Sequence, residues 1–369
     1  MWDHIGKCGK PVVLYGTGNA CEKILDELNA REIAVSGIFA SDGFVRGKVF
    51  HGFDVGTYRE AKERFGEMLV LLCFGSHLPE VIENVKRIAS EQELLAPDLP
   101  VAGEELFTPE FYARHEAEFA RARSLLADEE SRRVFDAVVA YKLSGNLSHL
   151  FACESPDDAN WALLGLDGRE SVLDLGAYNG DTVRQFLRLT GQNGEPGRRL
   201  YSHITAVEPD PRNYRKLCEN EGYLPDCDLL HLAAGAAPGE RFFFKNSGRG
   251  SHVVASRGAA DAREKADAAA GQCAKGTPVR VATIDGIAQE TGQSFSFIKM
   301  DLEGEESAAL CGGAETIARC KPKLLISAYH RSEDLFALPL QLLAIRPDYS
   351  IYLRHSPCIP AWEVNYYCV

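Results

Sequence analysis

A doubly wound α/β fold in two domains is predicted by three observations. The chain has 369 residues, more than one typical domain needs. Short apolar strands alternate with amphipathic helices in both halves, a pattern typical of parallel sheets. Each half also contains a buried strand that ends in a glycine turn and leads into a helix. We therefore expect a smaller α/β domain at 1–100, a helical connector at 101–165 and a larger α/β domain at 166–369.

The composition excludes several classes of protein. The formal net charge of −13 argues against a nucleic-acid surface, which requires clustered Lys and Arg, and favours small or neutral substrates. The 11 cysteines form no CxxC pair, so neither a zinc ribbon nor a disulfide framework is indicated, and a reducing cytoplasm is the expected compartment. The longest apolar run, Met68 to Phe74, is too short to cross a bilayer, and the N-terminus has no apolar signal core. Any membrane contact is expected to be peripheral.

The first domain begins with a Rossmann-type strand, turn and helix at Lys10 to Arg31. Gly16 and Gly18 occupy two positions of the dinucleotide fingerprint, but Cys21 occupies the third, so the pattern is a weak indication of NAD binding. Asp42, after the second strand, either holds a ribose or sugar hydroxyl or is a turn residue. The other elements expected here are strands Val35 to Ala40 and Met68 to Phe74 and helices Tyr58 to Phe65 and Leu78 to Ala89.

The connector is expected to be helical and to have no chemistry of its own. Its main segment, Pro109 to Leu143, carries a broken apolar stripe among polar residues. We interpret the charged residues of this segment as a solvated face.

The segment SVLDLGAYNGD, Ser171 to Asp181, organises the second domain. It is predicted to be a buried strand with an acid near its end, then a tight glycine turn, then a helix. A carboxylate at the mouth of this turn repels a pyrophosphate but attracts a ligand with an ammonium group, such as S-adenosylmethionine. The alternative is that Asp174 and Asp181 only cap the helix. The expected cofactor contacts here are Asp174, Gly176, Tyr178, Asn179, Gly180 and Asp181.

A second acid lies at the end of the next strand, Ile204 to Val207, in the segment Glu208-Pro209-Asp210. An acid at this position of a doubly wound fold accepts hydrogen bonds from ribose hydroxyls, so Glu208 and Pro209 are expected beside the adenosine. The alternative for Glu208 is to cap the following helix, a role that suits Asp210 better. The third strand, Leu229 to Ala233, is expected to place Ala233 near the adenine ring.

The remaining strands complete the predicted sheet. Strand Phe295 to Met300 ends at Asp301, and strand Lys323 to Ser327 leads to Tyr329 and His330. Two further strands follow, at Tyr349 to His355 and Glu363 to Cys368. These two are too close in sequence for a crossover helix and should pair antiparallel. The predicted sheet thus has five parallel strands that are closed by an antiparallel pair.

Four blocks of the second domain lie at predicted strand ends, in this order: VLDLGAYNGD, AVEPDP, FIKMDLEGEE and KLLISAYHRSEDLFALPLQLLAIRPDYSIYLRH. With these blocks, roughly the last 200 residues resemble the FkbM family of methyltransferases. The resemblance implies the class I methyltransferase sheet and methyl transfer from S-adenosylmethionine to an oxygen. The acceptor is often a sugar hydroxyl in a polyketide glycoside, a surface polysaccharide or a lipopolysaccharide. Tyr178-Asn179 and Glu305 depart from common family residues, which affects fine ligand contacts and not the cofactor class.

The first domain is similar, more loosely, to small Rossmann-like domains that bind sugar nucleotides ahead of some sugar-modifying transferases. This likeness implies that the domain docks a nucleotide sugar or glycan. The alternative is a degenerate domain that only builds a dimer or partner interface.

Methyl transfer to a hydroxyl requires that the proton is accepted or that the oxygen is bound to a metal. The ends of the fourth and fifth strands face the ligand cleft of a doubly wound sheet, which places Asp301 and His330 there as catalytic candidates. His330 is the expected general base, because an imidazole with a pKa of about 6.5 is largely neutral at cellular pH. Asp301 orients His330, holds the ammonium of the donor or joins a divalent metal site. Magnesium or manganese would suit such a site, but no metal ligands are assigned.

Other polar residues of these loops have open roles. The glutamates of the segment after Asp301 either contact ligands or favour the positive N-terminus of the next helix, and we prefer the helix role for Glu305. From their loop positions, the expected substrate contacts are Ser251, His252, Glu303 and Tyr329. The glutamates that could instead stabilise the N-terminus of the next helix are Glu303, Glu305 and Glu306.

The leading hypothesis is therefore an O-methyltransferase of polysaccharide biosynthesis, with a small-molecule or glycan substrate and a possible homo-oligomeric state. One alternative is an NAD-dependent sugar oxidoreductase that uses Gly16 and Gly18. Another is a scaffold that binds a sugar nucleotide without reacting.

Overall fold

The computed structural model describes residues 1–41, 49–191, 200–244, 252–254 and 276–369. The strands of this part are β1 (Val12–Tyr15), β2 (Val35–Phe39), β3 (Val49–Phe50), β4 (Phe53–Gly56), β5 (Leu69–Leu72), β6 (Glu93–Leu95), β7 (Ser171–Leu175), β8 (His203–Val207), β9 (Cys227–Leu230), β10 (Ala233–Ala234), β11 (Gly239–Phe244), β12 (His252–Val254), β13 (Thr277–Ala282), β14 (Phe297–Met300), β15 (Lys323–Ser327), β16 (Ile351–His355) and β17 (Val364–Cys368). The helices are α1 (Trp2–Lys7), α2 (Asn19–Ala30), α3 (Tyr58–Phe65), α4 (Pro79–Glu91), α5 (Pro109–Arg114), α6 (Glu116–Ser124), α7 (Glu129–Ser144), α8 (Ser148–Phe151), α9 (Asp157–Ala162), α10 (Asp181–Leu189), α11 (Pro211–Glu221), α12 (Ile284–Thr291), α13 (Glu306–Gly312), α14 (Ala314–Cys320) and α15 (Asp334–Ile345).

The first sheet has the strand order β3-β4-β2-β1-β5-β6, and its neighbours are parallel except for the β3–β4 pair. Successive residues of β1 face two cores. Val12 and Leu14 pack with α2, whereas Val13 and Tyr15 pack with α3 and α4. Helices therefore cover both faces of the strand, which explains why all four of its residues are apolar or aromatic. The strands and helices expected at residues 35–91 are confirmed to within two residues at each end.

The second sheet has the strand order β9-β8-β7-β14-β15-β17-β16. Its neighbours are parallel except for β17, which runs antiparallel to both β15 and β16. The expected antiparallel pairing of the last two strands is confirmed, and so is the predicted doubly wound α/β fold. The strand order reverses between β7 and β14. Doubly wound sheets bind ligands at the carboxyl ends of the strands beside such a point.

A third, smaller sheet with the order β10-β13-β11-β12 was not predicted. The expected strand Leu229 to Ala233 is interrupted, because β9 ends at Leu230 and Ala233 pairs with Val281 of β13. Val279 and Val281 of β13 are buried, while Arg280 between them is exposed. A strand that buries one face suits an antiparallel sheet better than the middle of a parallel sheet.

Helices α5, α6 and α7 occupy the segment in which a helical connector was expected. Helix α7 lies on β16, and α6 lies on α15. The backbone N–H of Leu353 in β16 donates to the hydroxyl of Ser131 in α7 at 3.0 Å. One apolar cluster continues from the first sheet through these helices to the second sheet, with Val70, Phe119 and Leu353 among its members. The helices thus join the two sheets by burial of apolar side chains. The expected domain boundaries after residues 100 and 165 stay a prediction.

The carboxyl ends of β5 and β6 in the first sheet are covered by the loop between β16 and β17. The ring of Trp362 lies so close to Gly75 that a Cβ there would overlap it. Ser76 and Ile359 exchange backbone hydrogen bonds beside this contact. Among the described residues, the space at the ends of β5 and β6 is a cavity of about 30 Å³, enough for one or two water molecules. A nucleotide does not fit into this cavity.

The sequence composition predicts neither a membrane-spanning helix nor a disulfide framework. None of the described helices combines the length and apolarity that crossing a bilayer requires. The ten cysteines of the described ranges are all free thiols.

Candidate active site

The ends of β7, β14 and β15 lie side by side at the carboxyl edge of the second sheet. Met300 pairs with Leu175 on one side and with Ile326 on the other. The segments that follow these strands therefore meet at one place. A Cβ on Gly176 would overlap the carbonyl oxygen of Asp301, which shows how closely the loops after β7 and β14 approach each other.

Asp174 is fully buried near the end of β7. Within the described residues, neither of its carboxylate oxygens accepts a hydrogen bond, and Nζ of Lys299 lies 3.5 Å from Oδ1. Burial raises the pKa of Asp174 to about 6, although Lys299 lowers it. Asp174 therefore does not cap α10, whose N-cap residue is Gly180 and which has no side-chain cap. A buried carboxylate with unused acceptors is suited to a ligand that donates hydrogen bonds or carries positive charge.

Lys299 is a site residue that the sequence analysis missed. Its Nζ donates to the carbonyl oxygen of Gly176 at 2.9 Å and lies 3.5 Å from Asp174 and 3.9 Å from Asp301. Burial lowers the pKa of Lys299, but the Asp174 and Asp301 carboxylates raise it more, so the ammonium stays charged. The lysine thereby ties the glycine turn to β14. Its signal in the sequence was a charged residue inside the apolar strand FIKM, where a central parallel strand is normally apolar throughout.

The turn after β7 has a backbone that few residue types adopt. Gly176, Tyr178 and Gly180 have φ values of +80°, +48° and +88°. These values lie in the left-handed region, which favours glycine. The N–H of Tyr178 donates to Glu208 at 2.8 Å, which holds the turn against β8. Tyr178 itself is 46% exposed.

Glu208 follows β8 and is buried. Its two oxygens accept the N–H groups of Tyr178 and Asp210, each at 2.8 Å. Burial raises the pKa of Glu208 to about 7, although these two hydrogen bonds lower it. Asp210 caps α11 by accepting the N–H of Arg212 at 2.7 Å, as predicted. Contact between Glu208 and a ribose stays a prediction.

We expect Glu208 to make the protein less stable as the pH rises from about 4.5 to about 7. The folded state binds this proton more tightly than the unfolded chain does, so deprotonation lowers the free energy of unfolding until the folded pKa is passed. A shift from 4.5 to about 7 corresponds to about 3 kcal/mol. Glutamine does not titrate, so Glu208→Gln lacks this loss. Between acidic and mildly basic pH, the free energy of unfolding of the variant should therefore rise by about 3 kcal/mol relative to that of the wild type. Urea denaturation at both pH values measures the difference, and a pH-independent difference would contradict the shift.

An imidazole and three carboxylates gather at the ends of β14 and β15. His330, which is 1% exposed, has its Nε2 at 3.3 Å from Oδ1 of Asp301 and 3.8 Å from Oε2 of Glu303. Its Nδ1 lies 2.9 Å from Oε1 of Glu306. The Tyr329 hydroxyl donates to Oδ1 of Asp301 at 3.2 Å. The structure therefore brings the two predicted catalytic residues together with Glu303 and Tyr329, two of the predicted substrate contacts.

The expectation that His330 is a neutral imidazole is wrong for this arrangement. Burial lowers the pKa of His330, but the carboxylates of Glu306, Asp301 and Glu303 raise it to about 10. While no cation is bound, the ring is therefore protonated at cellular pH, and a protonated imidazole does not accept the proton of a hydroxyl. The Asp301 side chain is 36% exposed, so it is the member of the pair that can reach a substrate.

Two further residues of the site are engaged by arginines. Arg184 donates to the carbonyl oxygen and to the side-chain oxygen of Asn179, at 3.0 and 2.8 Å. Glu305 precedes α13 and lies 3.5 Å from Arg241 and 3.7 Å from Arg331. Its position agrees with the preferred interpretation of Glu305 as a residue of the helix N-terminus.

The other predicted contacts lie around the third sheet. Ala233 is buried in β10, and the carbonyl oxygen of Pro209 lies 3.1 Å from Nε2 of His231, a residue that the sequence analysis did not consider. His252 begins β12 and pairs with Phe244 of β11. Outside the described residues lie Asp42 and Ser251.

A cleft of about 410 Å³ lies beside the loop that carries His330. Its lining includes the aromatic or imidazole rings of Phe111, His115 and Phe336 and the charged groups of Glu104, Glu105, Arg331 and Glu333. Nε of Arg331 donates to the carbonyl oxygen of Gly304 at 2.6 Å, which connects the cleft to the segment after Asp301. Carboxylates and a guanidinium suit a polar ligand that carries hydroxyl groups.

Comparison with known proteins agrees with this arrangement. Residues 174–347 match the family model described as the Methyltransferase FkbM domain. Over 178 residues the chain is 28% identical to 2-O-methyltransferase NoeI of Sinorhizobium fredii (strain NBRC 101917 / NGR234). The aligned region covers 47% of this chain and 68% of that protein. The crystal structure of Methyltransferase FkbM from Methylobacillus flagellatus KT superposes with a TM-score of 0.68 at 21% identity, over 100% of this chain and 92% of that chain. At this identity the superposition shows a shared fold, and that fold includes the first sheet.

Proposed function

Residues 174–347 match the FkbM methyltransferase domain, and we propose that the protein transfers a methyl group from S-adenosylmethionine to a hydroxyl of a sugar or glycan. That the protein is a methyltransferase follows from the family; the donor, the acceptor and the roles of single residues are proposed. The observation that carries the proposal is Asp174, a buried carboxylate without a hydrogen bond from the described residues, beside the glycine turn of the family domain.

The residues at the ends of β7 and β8 fit this donor. When bound, S-adenosylmethionine supplies an electrophilic methyl group on a positively charged sulfonium. The unused acceptors of Asp174 support a role in holding the ammonium of the donor. The Glu208 carboxylate accepts one N–H at each oxygen, and each oxygen has a second acceptor site for a ribose hydroxyl. The other proposed contacts are Gly176, Tyr178, Asn179, Gly180, Asp181, Pro209 and Ala233.

Two observations support a glycan acceptor. The similar protein NoeI is named a 2-O-methyltransferase, which supports oxygen as the methylated atom. The 410 Å³ cleft beside the loop that carries His330 is lined by charged groups that bind hydroxyls, next to apolar and imidazole side chains. We therefore place the reaction in polysaccharide biosynthesis, with Glu303, Tyr329, Ser251 and His252 as proposed substrate contacts.

Asp301 and His330 are proposed to activate the acceptor hydroxyl. Asp301 accepts the proton, because its side chain is partly exposed whereas His330 is buried. The charged imidazole of His330 and the hydroxyl of Tyr329 hold Oδ1 of Asp301 at 3.3 and 3.2 Å. His330 and Tyr329 are thus positioning residues, and they fix the carboxylate at the place where the proton leaves the substrate.

Asp174→Asn is expected to weaken the binding of S-adenosylmethionine by about 10- to 100-fold, because a hydrogen bond to a charged group contributes about 1.5 to 3 kcal/mol. Isothermal titration calorimetry measures this affinity. The matched control is Asp210→Asn, the same change at another buried aspartate of the same sheet edge. Asparagine caps a helix as well as aspartate does, so the control should bind the donor like the wild type. Equal affinity in the folded Asp174→Asn variant would remove this residue from the proposed site.

Methyl transfer itself is tested with donor that carries a labelled methyl group and a panel of glycans. Label in a glycan supports the proposal, whereas a scaffold that only binds transfers none. The oxidoreductase alternative predicts binding of NADH, and fluorescence titration with NADH should show no binding.

For the first sheet we propose an interface role. Trp362 and the small cavity at the ends of β5 and β6 support a surface that holds the loop between β16 and β17. The free thiols support a reducing cytoplasm as the proposed compartment. Domain boundaries and a homo-oligomeric state stay predictions.

A further inference from the structure

We propose that Asp301, Glu303 and His330 bind a divalent cation, Mg²⁺ or Mn²⁺, at the ends of β14 and β15. Asp301, Glu306 and His330 each offer an atom within 4.8 Å of the others. Nε2 of His330 is 3.3 Å from Oδ1 of Asp301 and 3.8 Å from Oε2 of Glu303. Two ligands at about 2.1 Å from one octahedral ion lie about 3.0 Å apart at right angles and about 4.2 Å apart across it. Both observed distances fall in this range.

Glu306 lies on the other side of the His330 ring. Its Oε1 is 2.9 Å from Nδ1 of His330 and accepts the N–H of Leu302 at 2.6 Å. Histidines that bind metals usually direct their second ring nitrogen to a carboxylate or carbonyl oxygen, which fixes the ring and leaves the first nitrogen for the ion. Glu306 is placed for this role, and binding of the ion releases to solvent the proton that Nε2 carries when no cation is bound.

The cluster has more acidic groups than nearby cations. Glu306 is buried, and its Oε2 accepts no hydrogen bond from any described residue. Asp334, another buried acid, accepts the N–H of Arg331 at 2.8 Å in the same loop. Lys299 lies 3.9 Å from Asp301 but also balances Asp174 at 3.5 Å. An unpartnered buried oxygen within such a group is an independent indication of a positive charge in addition to those of His330 and Lys299.

The ligand set selects the kind of ion. Carboxylate oxygens with a single imidazole suit Mg²⁺ or Mn²⁺, whereas structural zinc sites use four nitrogen or sulfur ligands. The Asp301 and Glu303 side chains are each 36% exposed, so the other coordination positions face solvent or substrate. This role rests on the proposed function: an ion that coordinates the acceptor hydroxyl would lower its pKa, and the proton would pass to Oδ2 of Asp301 while Oδ1 binds the ion.

The test is a titration of the purified full-length protein with Mn²⁺, without the methyl donor, followed by electron paramagnetic resonance of the free ion. We expect a single saturable site and, in pulsed measurements, coupling of the bound ion to an imidazole nitrogen. Glu303→Gln and His330→Gln should each weaken binding about 10- to 100-fold. Glu305→Gln is the matched control in the same loop, and it should bind Mn²⁺ like the wild type because Glu305 is paired with Arg241 and Arg331.

Absence of a saturable site, absence of nitrogen coupling, or equal affinity in Glu303→Gln and the wild type would overturn the inference. The nitrogen coupling needs no variant, so it decides the question even where His330→Gln does not fold. Glycan methylation at full rate in EDTA would also refute the metal role and leave the proposed function intact. Specific Mn²⁺ binding without methylation of any glycan would support the site and count against the proposed acceptor.

Discussion

Gly176→Ala is expected to destabilise the protein by about 3 kcal/mol and to abolish the binding of S-adenosylmethionine. A left-handed φ of +80° costs an alanine about 1 kcal/mol. The added Cβ would also overlap the carbonyl oxygen of Asp301. This oxygen cannot move freely, because the N–H of Asp301 donates to Leu175 at 3.1 Å and β14 is paired with β7. Relief of the overlap must separate the two strands, and overpacking of this kind costs about 2 kcal/mol more.

Urea denaturation and calorimetric titration with the donor measure the two effects. Gly292→Ala is the matched control, since Gly292 follows α12 with a φ of +68° and a Cβ there would meet no atom within 4 Å. We expect this control to lose about 1 kcal/mol and to bind the donor normally. Equal losses in the two variants would show that backbone conformation alone matters at Gly176, and that the close approach of the two loops does not.

Features that depend on neighbouring residues were predictable from the sequence. Strand β15 lies at Lys323–Ser327, as predicted, because an apolar run bounded by polar residues is a local signal. Helix α3 begins after Thr57, where a capping box with Glu60 fixes its first turn. The glycine turn after β7 was recognisable for the same reason, since Gly176 and Gly180 are needed at left-handed positions.

Features that depend on partners far apart in the chain were not predictable in the same way. Lys299 becomes a site residue only because β14 pairs with β7, which brings its ammonium to Gly176 and Asp174. The charge of His330 depends on burial and on the carboxylate of Glu306, and no local pattern reports either property. Residue type and strand position therefore located the two catalytic candidates, but the protonation state that divides their roles required the packed structure.

The break in the expected strand Leu229 to Ala233 has a similar cause. An apolar run predicts a strand but does not say which sheet the strand joins. Ala233 leaves the second sheet because Val281 of β13 offers it a parallel partner, and that pairing joins residues far apart in sequence. The loop between β9 and β10 consequently places His231 beside Pro209, next to the proposed adenosine contacts.

Asp301→Asn is expected to lower kcat about 1000-fold, because a positioned acid or base contributes about 100- to 10,000-fold to proton transfer. An amide keeps the size of the side chain and its contact with the Tyr329 hydroxyl, but it cannot accept the proton of the substrate. The affinity for S-adenosylmethionine should stay close to that of the wild type, since Lys299 retains its partner Asp174 at 3.5 Å. Steady-state kinetics on a methylated glycan and calorimetry of the donor measure these two quantities separately.

Two variants control for general damage to the site. Glu305→Gln changes a carboxylate in the same loop whose partners are Arg241 and Arg331, so its kcat should equal that of the wild type. Tyr329→Phe removes only the hydroxyl that positions Oδ1 of Asp301 and should lower kcat about 10-fold, in line with one lost hydrogen bond. A loss confined to KM in Asp301→Asn would assign this carboxylate to substrate binding, and an unchanged kcat would mean that another group accepts the proton.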